Sequence, residues 1–384
     1  MVRGYIDRFD STIAGWAFDP SAPGRAVDVV IENDGREIYR CSAGLIRQDL
    51  IPVIGGAEHG FSFDANEKNG FYRSMDLKIY MVSSERRLLY EGGWVYEGMV
   101  AQGVDNWLFL NTDFNQVNLR IAGKVGVEPE KIYRTALQFA TREALLAKKN
   151  IPYASIIVPE KNVICARYFP ELVVSDYRPV PLIIDETRKF NCSVIYPIDE
   201  FLSSNIDVFY KTDTHANAEG YRIIYRLLQK KLPQFFDGVC LPPVAVNQKY
   251  YGDLGGKLDP AQSEVTDRYL RPETEGHFHS YDRISETIQA RGRLRGEVVS
   301  VLNRNATKRL LVFGTSTAYA ALPLVSCAFA HTLFIWENTF DYKIIEEFSP
   351  DCVLWLPAER FLPMEVDDLK GLPLSYEKVE ELLK

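Results

Sequence analysis

The chain has 384 residues, enough for two or three domains at roughly 150 residues each. With 25% charged and 46% hydrophobic residues it is not a mostly disordered chain. The net charge of −8 is spread evenly: residues 1–97 carry 11 basic and 15 acidic side chains, residues 98–384 carry 33 and 37, so no basic region is offered to nucleic acid or an anionic membrane.

Residues 1–97 are expected to form a small all-β sandwich. Short, partly alternating runs at Gly4–Phe9, Ile13–Phe18, Val27–Glu32, Glu37–Ser42, Gly60–Asp64, Asp76–Val82 and Arg87–Glu91 are separated by turn chemistry. Asn33-Asp34-Gly35 marks a hairpin, because Asn and Gly tolerate the positive φ of tight hairpin turns. Asp19–Gly24 reads as a loop.

After Trp94 the pattern changes, and residues 98–384 are expected to be an α/β domain with a mostly parallel sheet flanked by helices. A helix is predicted over Ile132–Asn150, then a buried strand at Ala154–Val158 and another at Ser193–Tyr196. Ala218–Leu232 reads as a helix with one apolar face. Strands at Arg309–Phe313, Leu333–Trp336 and Cys352–Leu356 alternate with helices at Ala318–Phe329 and Tyr342–Phe348. Residues 237–300 are polar and turn-rich and are read as an insertion or lid-like segment.

No signal peptide is visible in the opening MVRGYIDRFD, which predicts a cytoplasmic protein, or a periplasmic one if the chain is truncated. The longest apolar-rich stretch, 317–336, is interrupted by Pro323, Ser326 and His331 and reads as a helix and a strand rather than a membrane span. Cys41, Cys165, Cys192, Cys240, Cys327 and Cys352 show no pairing pattern and are taken as buried thiols.

Two constellations carry chemistry. Gly314-Thr315-Ser316 follows a predicted strand and precedes a helix. There, a serine hydroxyl is exposed at the carboxyl end of a sheet and helix-start N–H groups can stabilise an oxyanion. The bland alternative is a helix cap. Thr212-Asp213-Thr214-His215 supplies a general base with a carboxylate two residues away that can fix its tautomer. Asn217 is placed to cap the following helix. Together these give nucleophile, base and orienter.

These stretches resemble the alginate O-acetyltransferase family of the SGNH-hydrolase-like type. The matching segments are Asp105–Leu110 (DNWLFL), Ile157–Lys161 (IVPEK), Thr212–Asn217 (TDTHAN), Gly314-Thr315-Ser316, and Ser349–Val353 with Glu359-Arg360. The Asp-x-His motif precedes the serine, the permuted order of that family. The resemblance implies that Ser316 carries the acyl group, His215 is the base and Asp213 its orienter. Ala216 stands where the family has Trp, and the β-domain lies N-terminal instead of C-terminal. The N-terminal stretch resembles small β-domains found beside bacterial glycosyltransferases, through Gly15-Trp16, Arg47-Gln48-Asp49-Leu50 and Gly60-Phe61-Ser62-Phe63.

The expected activity is O-acetyl transfer to hydroxyls of a bacterial surface polysaccharide. The alternatives are an acetylesterase of the same fold or a non-catalytic glycan-binding protein. Substrate or oxyanion contacts are expected from Thr315, Tyr319, Lys161, Asn217, Trp336 and Asn338. His277-Phe278-His279 lacks a third ligand at recognised spacing, so no metal is expected. No glycine-rich phosphate cradle indicates a tightly bound coenzyme A. The acyl donor is therefore left as acetyl-CoA or an acetyl group relayed by a membrane partner. The expected partners are a polysaccharide or oligosaccharide acceptor and a membrane acyl-transfer or glycan-assembly protein, with no nucleic acid.

Overall fold

The structure is a computed structural model that describes residues 2–9, 12–65, 71, 74–95, 100–111, 113, 115–238, 244–258, 260–269, 280–283, 298–363 and 368. The chain divides into two compact units: Met1–Ala101 with Leu110–Asn118, and Gln102–Phe109 with Leu119–Lys384.

The first unit holds two antiparallel four-stranded sheets. One contains β1 (Arg3–Phe9), β2 (Thr12–Phe18), β5 (Leu45–Ile46) and β6 (Glu58–Asp64), in the order β1-β2-β6-β5. The other contains β3 (Val27–Asn33), β4 (Arg36–Ala43), β7 (Ser74–Val82) and β8 (Arg86–Val95), in the order β4-β3-β7-β8. Alternation puts Ile13, Val29, Ile31, Phe61, Phe63, Leu77 and Ile79 into one shared core. The hairpin turn falls where expected: Asp34 (φ 49°) and Gly35 (φ 73°) link β3 to β4. Arg47 spends its guanidinium on Asp49 (2.8 and 2.6 Å) and on Asp7.

β9 (Val100–Gln102) and β10 (Leu108–Leu110) form a separate two-stranded sheet. The second unit is built on a seven-stranded sheet. Its parallel part is β12 (Val194–Ile195), β11 (Tyr153–Ile156), β19 (Cys352–Leu356), β17 (Arg309–Gly314) and β18 (His331–Trp336), in that spatial order. β16 (Val298–Leu302) and β15 (Ser280–Arg283) extend it antiparallel. Continuous apolar runs such as Leu310–Phe313 and Cys352–Leu356 are buried on both faces, as parallel strands covered by helices require. On one face Leu311, Phe313, Val353 and Trp355 pack with Phe139 and Leu146 of the Pro129–Lys148 helix and Val180 and Ile183 of the Pro179–Arg188 helix. The Ala218–Lys231 helix packs against both β11 and the Ser316–Val325 helix.

Several elements depart from expectation. The 132–150 helix begins earlier, at Pro129, because proline is favoured in the first turn where its missing N–H costs nothing. The helix expected from Ala318 begins at Ser316. The 237–300 segment is only partly an insertion. It holds a two-stranded hairpin, β13 (Val244–Tyr250) with β14 (Glu264–Tyr269), and its end supplies β15 and the start of β16 to the main sheet. Val298, Val299 and Val301 are core residues, so that end is not a lid. Cys165 and Cys352 are buried, whereas Cys41, Cys192 and Cys327 are half-buried. Cys240 and His277-Phe278-His279 lie outside the described residues.

A buried charge pair locks one face of the sheet. The Arg142 guanidinium sits between the rings of Phe340 and Trp355, 4.0 Å from each centroid, and bonds Asp368 through two nitrogens. Both side chains are fully buried. Arg142 also donates to Asn338 O (2.7 Å), and Phe340 N–H donates to Asp368 (2.7 Å). Removing one member of a buried pair strands the other charge. Asp368→Ala is expected to lower unfolding free energy by about 3–5 kcal/mol in chemical denaturation. A loss below about 1 kcal/mol would mean that Asp368 does not lock this face.

Candidate active site

The carboxyl ends of β11, β17, β18 and β19 form one edge of the parallel sheet. Ligands of open α/β sheets bind at this edge. β17 ends at Gly314, whose φ of +149° suits only glycine. A Cβ there would lie 2.5 Å from Ala318 Cβ and 3.0 Å from Leu356 O. The chain then turns through extended Thr315 into a ten-residue helix whose first residue is Ser316. Among the described residues, the buried Thr315 hydroxyl makes no capping bond and has no hydrogen-bond partner. The side chain of Thr315 therefore leaves the free N–H groups of this helix start uncapped.

Asp213 and His215 sit in the turn before the Ala218–Lys231 helix. His215 Nδ1 lies 2.6 Å from Asp213 Oδ1, and the His215 backbone N–H donates to the same oxygen (2.8 Å). Asp213 Oδ2 accepts from the Tyr250 hydroxyl and from Asp253 N–H (3.0 Å). Asp253 Oδ2 stands 3.9 Å from His215 Nδ1, while the Asp253 carboxylate accepts from Thr214 N–H (2.7 Å) and Thr214 Oγ1 (2.5 Å). Bonding of Nδ1–H to Asp213 leaves Nε2 as the acceptor. That Nε2 is buried and has no hydrogen-bond partner among the described residues, so Ser316 is not bonded to it here.

Electrostatics follow the geometry. Burial pushes the His215 imidazolium down. The hydrogen bond and charge of Asp213, aided by Asp253 and opposed by Arg360, outweigh it and lift His215 above the ordinary histidine value. Burial would raise Asp213, yet His215 and Tyr250 hold it well below the usual carboxylate range. Folding therefore favours the charged pair between these two limits, and its contribution fades as pH falls through the Asp213 pKa or rises through that of His215.

One contact joins the helix that follows His215 to the helix that opens with Ser316. Tyr221 Oη donates to Thr317 O (3.0 Å). Beside these helix starts, buried ions line the strand ends. Arg360 pairs with both oxygens of Glu160 (3.1 and 3.0 Å), and Arg178 and Tyr196 bond Glu359 (3.1 and 2.8 Å).

Not every expected contact residue faces a substrate. Lys161 is 1% exposed, and its ammonium bonds the carbonyls of Leu108 (2.6 Å), Lys211 (2.9 Å) and Asp213 (2.9 Å). Three donors meet three acceptors, so Lys161 braces the Asp213 turn rather than binding substrate. Burial brings its pKa down to about 8. Asn217 is likewise consumed: its oxygen caps Glu219 N–H (3.0 Å) and Gly220 N–H (3.1 Å), and its amide bonds Asp207 O (2.6 Å) and Phe209 O (3.3 Å). Asn338 is held in the Arg142 network and accepts from Trp355 Nε1 (3.4 Å). Tyr319 and Trp336 contact one another and Phe334, ring to ring, at the end of β18.

Sequence reasoning missed Tyr250, Asp253 and Glu264, which surround the Asp213 turn from a segment with no motif. Asp213, His215 and Asp253 bring ligand atoms within 4.8 Å of one another. Their carboxylate oxygens already accept the hydrogen bonds described above, an arrangement that suits an oriented imidazole. Among the described residues, no helix is long and apolar enough to cross a membrane.

No family model matches the chain, and no curated protein matches it. Solved structures do show similarity. Bacillus cereus PatB1 is 17% identical with a TM-score of 0.48, covering 69% of this chain and 97% of that one. The O-acetyltransferase domain of Pseudomonas putida AlgJ is 17% identical with a TM-score of 0.43, covering 74% and 98%. A DHHW family protein from Eubacterium siraeum is 10% identical with a TM-score of 0.43, covering 79% and 95%. None of these likenesses assigns a role to a residue here.

Gly314→Ala tests the Ser316 turn. The added methyl meets Ala318 and Leu356 at a backbone angle that L-residues avoid, so unfolding free energy should fall by about 1–3 kcal/mol. Unchanged stability in thermal and denaturant unfolding would show that the turn tolerates a side chain.

Proposed function

We propose that this chain is a serine-dependent O-acyltransferase that moves an acetyl group onto a carbohydrate hydroxyl. The observation that carries the reading is the Asp213–His215 pair. A buried carboxylate fixes one ring nitrogen and leaves the other an acceptor with no partner among the described residues. Support also comes from Ser316, which opens a helix at the carboxyl edge of the sheet. The motif resemblance given above supports an acyl-serine enzyme and supplies the carbohydrate acceptor.

In this reading His215 Nε2 takes the Ser316 Oγ proton as Oγ attacks the acyl carbonyl of the donor. Asp213 keeps the ring in the required tautomer and stabilises its charged form. The N–H groups at the start of the Ser316–Val325 helix stabilise the tetrahedral oxyanion. Collapse breaks the bond to the donor's leaving group, which departs with the proton from His215 and leaves an acyl-Ser316. A sugar hydroxyl then gives its proton to Nε2 and attacks the acyl carbon. Ser316 leaves and recovers its proton. The chemistry is ester exchange and calls on no bound cofactor. The acetyl group comes from acetyl-CoA or from a membrane partner, and the acceptor is a polysaccharide or oligosaccharide.

The test is intact-mass analysis after incubation with p-nitrophenyl acetate, together with fluorophosphonate labelling. Wild type should form an acetyl adduct and label. Ser316→Ala should do neither, and His215→Ala should slow adduct formation by at least about 10³-fold. An adduct that persists in Ser316→Ala, or a folded wild type inert to both reagents, would overturn the proposal. Steady acetate release insensitive to added oligosaccharide would make the enzyme an esterase rather than a transferase.

A further inference from the structure

The 244–269 hairpin is hydrogen-bonded to the turn that carries the candidate base. It reaches the Asp213 turn by three routes. The Tyr250 hydroxyl and Asp253 N–H both donate to Asp213 Oδ2. The Asp253 carboxylate holds Thr214 and stands 3.9 Å from His215 Nδ1. Glu264 accepts from Thr212 N–H (2.7 Å) and Thr212 Oγ1 (2.8 Å). Close docking depends on Gly252, with φ +66°, where a Cβ would lie 2.1 Å from Thr212 O. Leu254 and Gly255 N–H both donate to that same carbonyl (3.1 and 2.8 Å).

We infer that this hairpin is a positioning element for the proposed general base, with Tyr250 and Asp253 setting the orientation and basicity of His215 through Asp213. The inference deepens the acyltransferase reading, because it concerns which residues prepare its base. Tyr250 and Asp253 act in opposite directions. The Tyr250 hydroxyl draws charge off Asp213 and weakens the hold of that carboxylate on the His215 proton. The Asp253 carboxylate adds a second negative charge beside the ring and strengthens the hold. The other charged groups facing the pair are Arg360, which opposes protonation of His215, and Lys161, bonded to Asp213 O.

The experiment is an NMR titration of the full chain with isotope-labelled histidine. His215 is identified by the signal lost in His215→Ala. Asp253→Asn removes the charge and keeps the shape, since the Thr214 hydroxyl can turn to accept from the new amide. It should lower the His215 pKa by about 0.5–1 unit. Tyr250→Phe removes a single donor and should raise the His215 pKa by a similar amount. Gly252→Ala should broaden or split the His215 signal as the hairpin lifts. His331, at the amino end of β18, should hold its shift and report an intact fold. The inference is overturned if Asp253→Asn and Tyr250→Phe leave His215 unmoved or shift it the same way. The titration requires no turnover, so it stands apart from the acyl-adduct test: an inert protein with opposed shifts would sink the acyltransferase reading and keep this one.

Discussion

The candidate site depends on keeping the Asp213 carboxylate charged inside the protein. A buried carboxylate is strongly disfavoured unless its lone pairs are met. Here four donors meet them: the His215 ring and backbone on one oxygen, Tyr250 and the Asp253 backbone on the other. The donors come from the turn itself and from the 244–269 hairpin. The need to satisfy one anion thus ties two segments of the chain together. The same bonds fix the imidazole, so a requirement of stability and a requirement of the proposed chemistry are met by one set of contacts.

Lys161 shows how the turn is held from behind. Among the described residues its ammonium is bonded only to carbonyls, those of Leu108, Lys211 and Asp213. A point charge with three donors can gather three carbonyls from separate segments in a way that no apolar side chain could. The segment around Leu108 is further pinned by Trp107, which stacks on Tyr168 with centroids 4.4 Å apart. Residues that look functional in a one-dimensional reading, because they are polar and sit at strand ends, are here the frame on which the base is mounted.

Much of the architecture was legible in the sequence. Apolar runs bounded by turn residues located the parallel strands, and Asp34-Gly35 located a hairpin. The spacing of Asp213 and His215 foretold their mutual bond, because two residues along a turning backbone bring a carboxylate to an imidazole. The roles of Lys161 and Asn217 were not legible in the same way. A sequence shows a donor but not whether its protons are already taken. Tyr250, Asp253 and Glu264 were invisible for a different reason: they act across a long stretch of chain from a polar segment without periodicity. Only the folded position of Gly252, pressed against Thr212 O, shows why that segment must come so close. β15 and β16 escaped for a related reason. Antiparallel strands added beside a parallel sheet follow no βα rhythm, and Val298–Leu302 is too short to stand out beside a polar stretch.

Exposed and buried ion pairs respond differently to change. In the first unit the ion pairs of Arg40 with Glu37 and Asp28 are well exposed. Such pairs contribute about 0–1 kcal/mol and weaken further with salt. In the second unit Arg142–Asp368, Arg178–Glu359 and Arg360–Glu160 are all largely or fully buried. Their formation adds little over an apolar packing of the same shape, yet breaking one leaves an unmatched charge in low dielectric. Two of these three pairs sit at the strand ends that carry the candidate site, and the third holds the carbonyl of Asn338 just past β18. Electrostatic order is therefore concentrated at the carboxyl edge of the sheet. That is where the proposed acyl-transfer site would need fixed dipoles rather than mobile water, and where substitution of a single charged residue strains the frame.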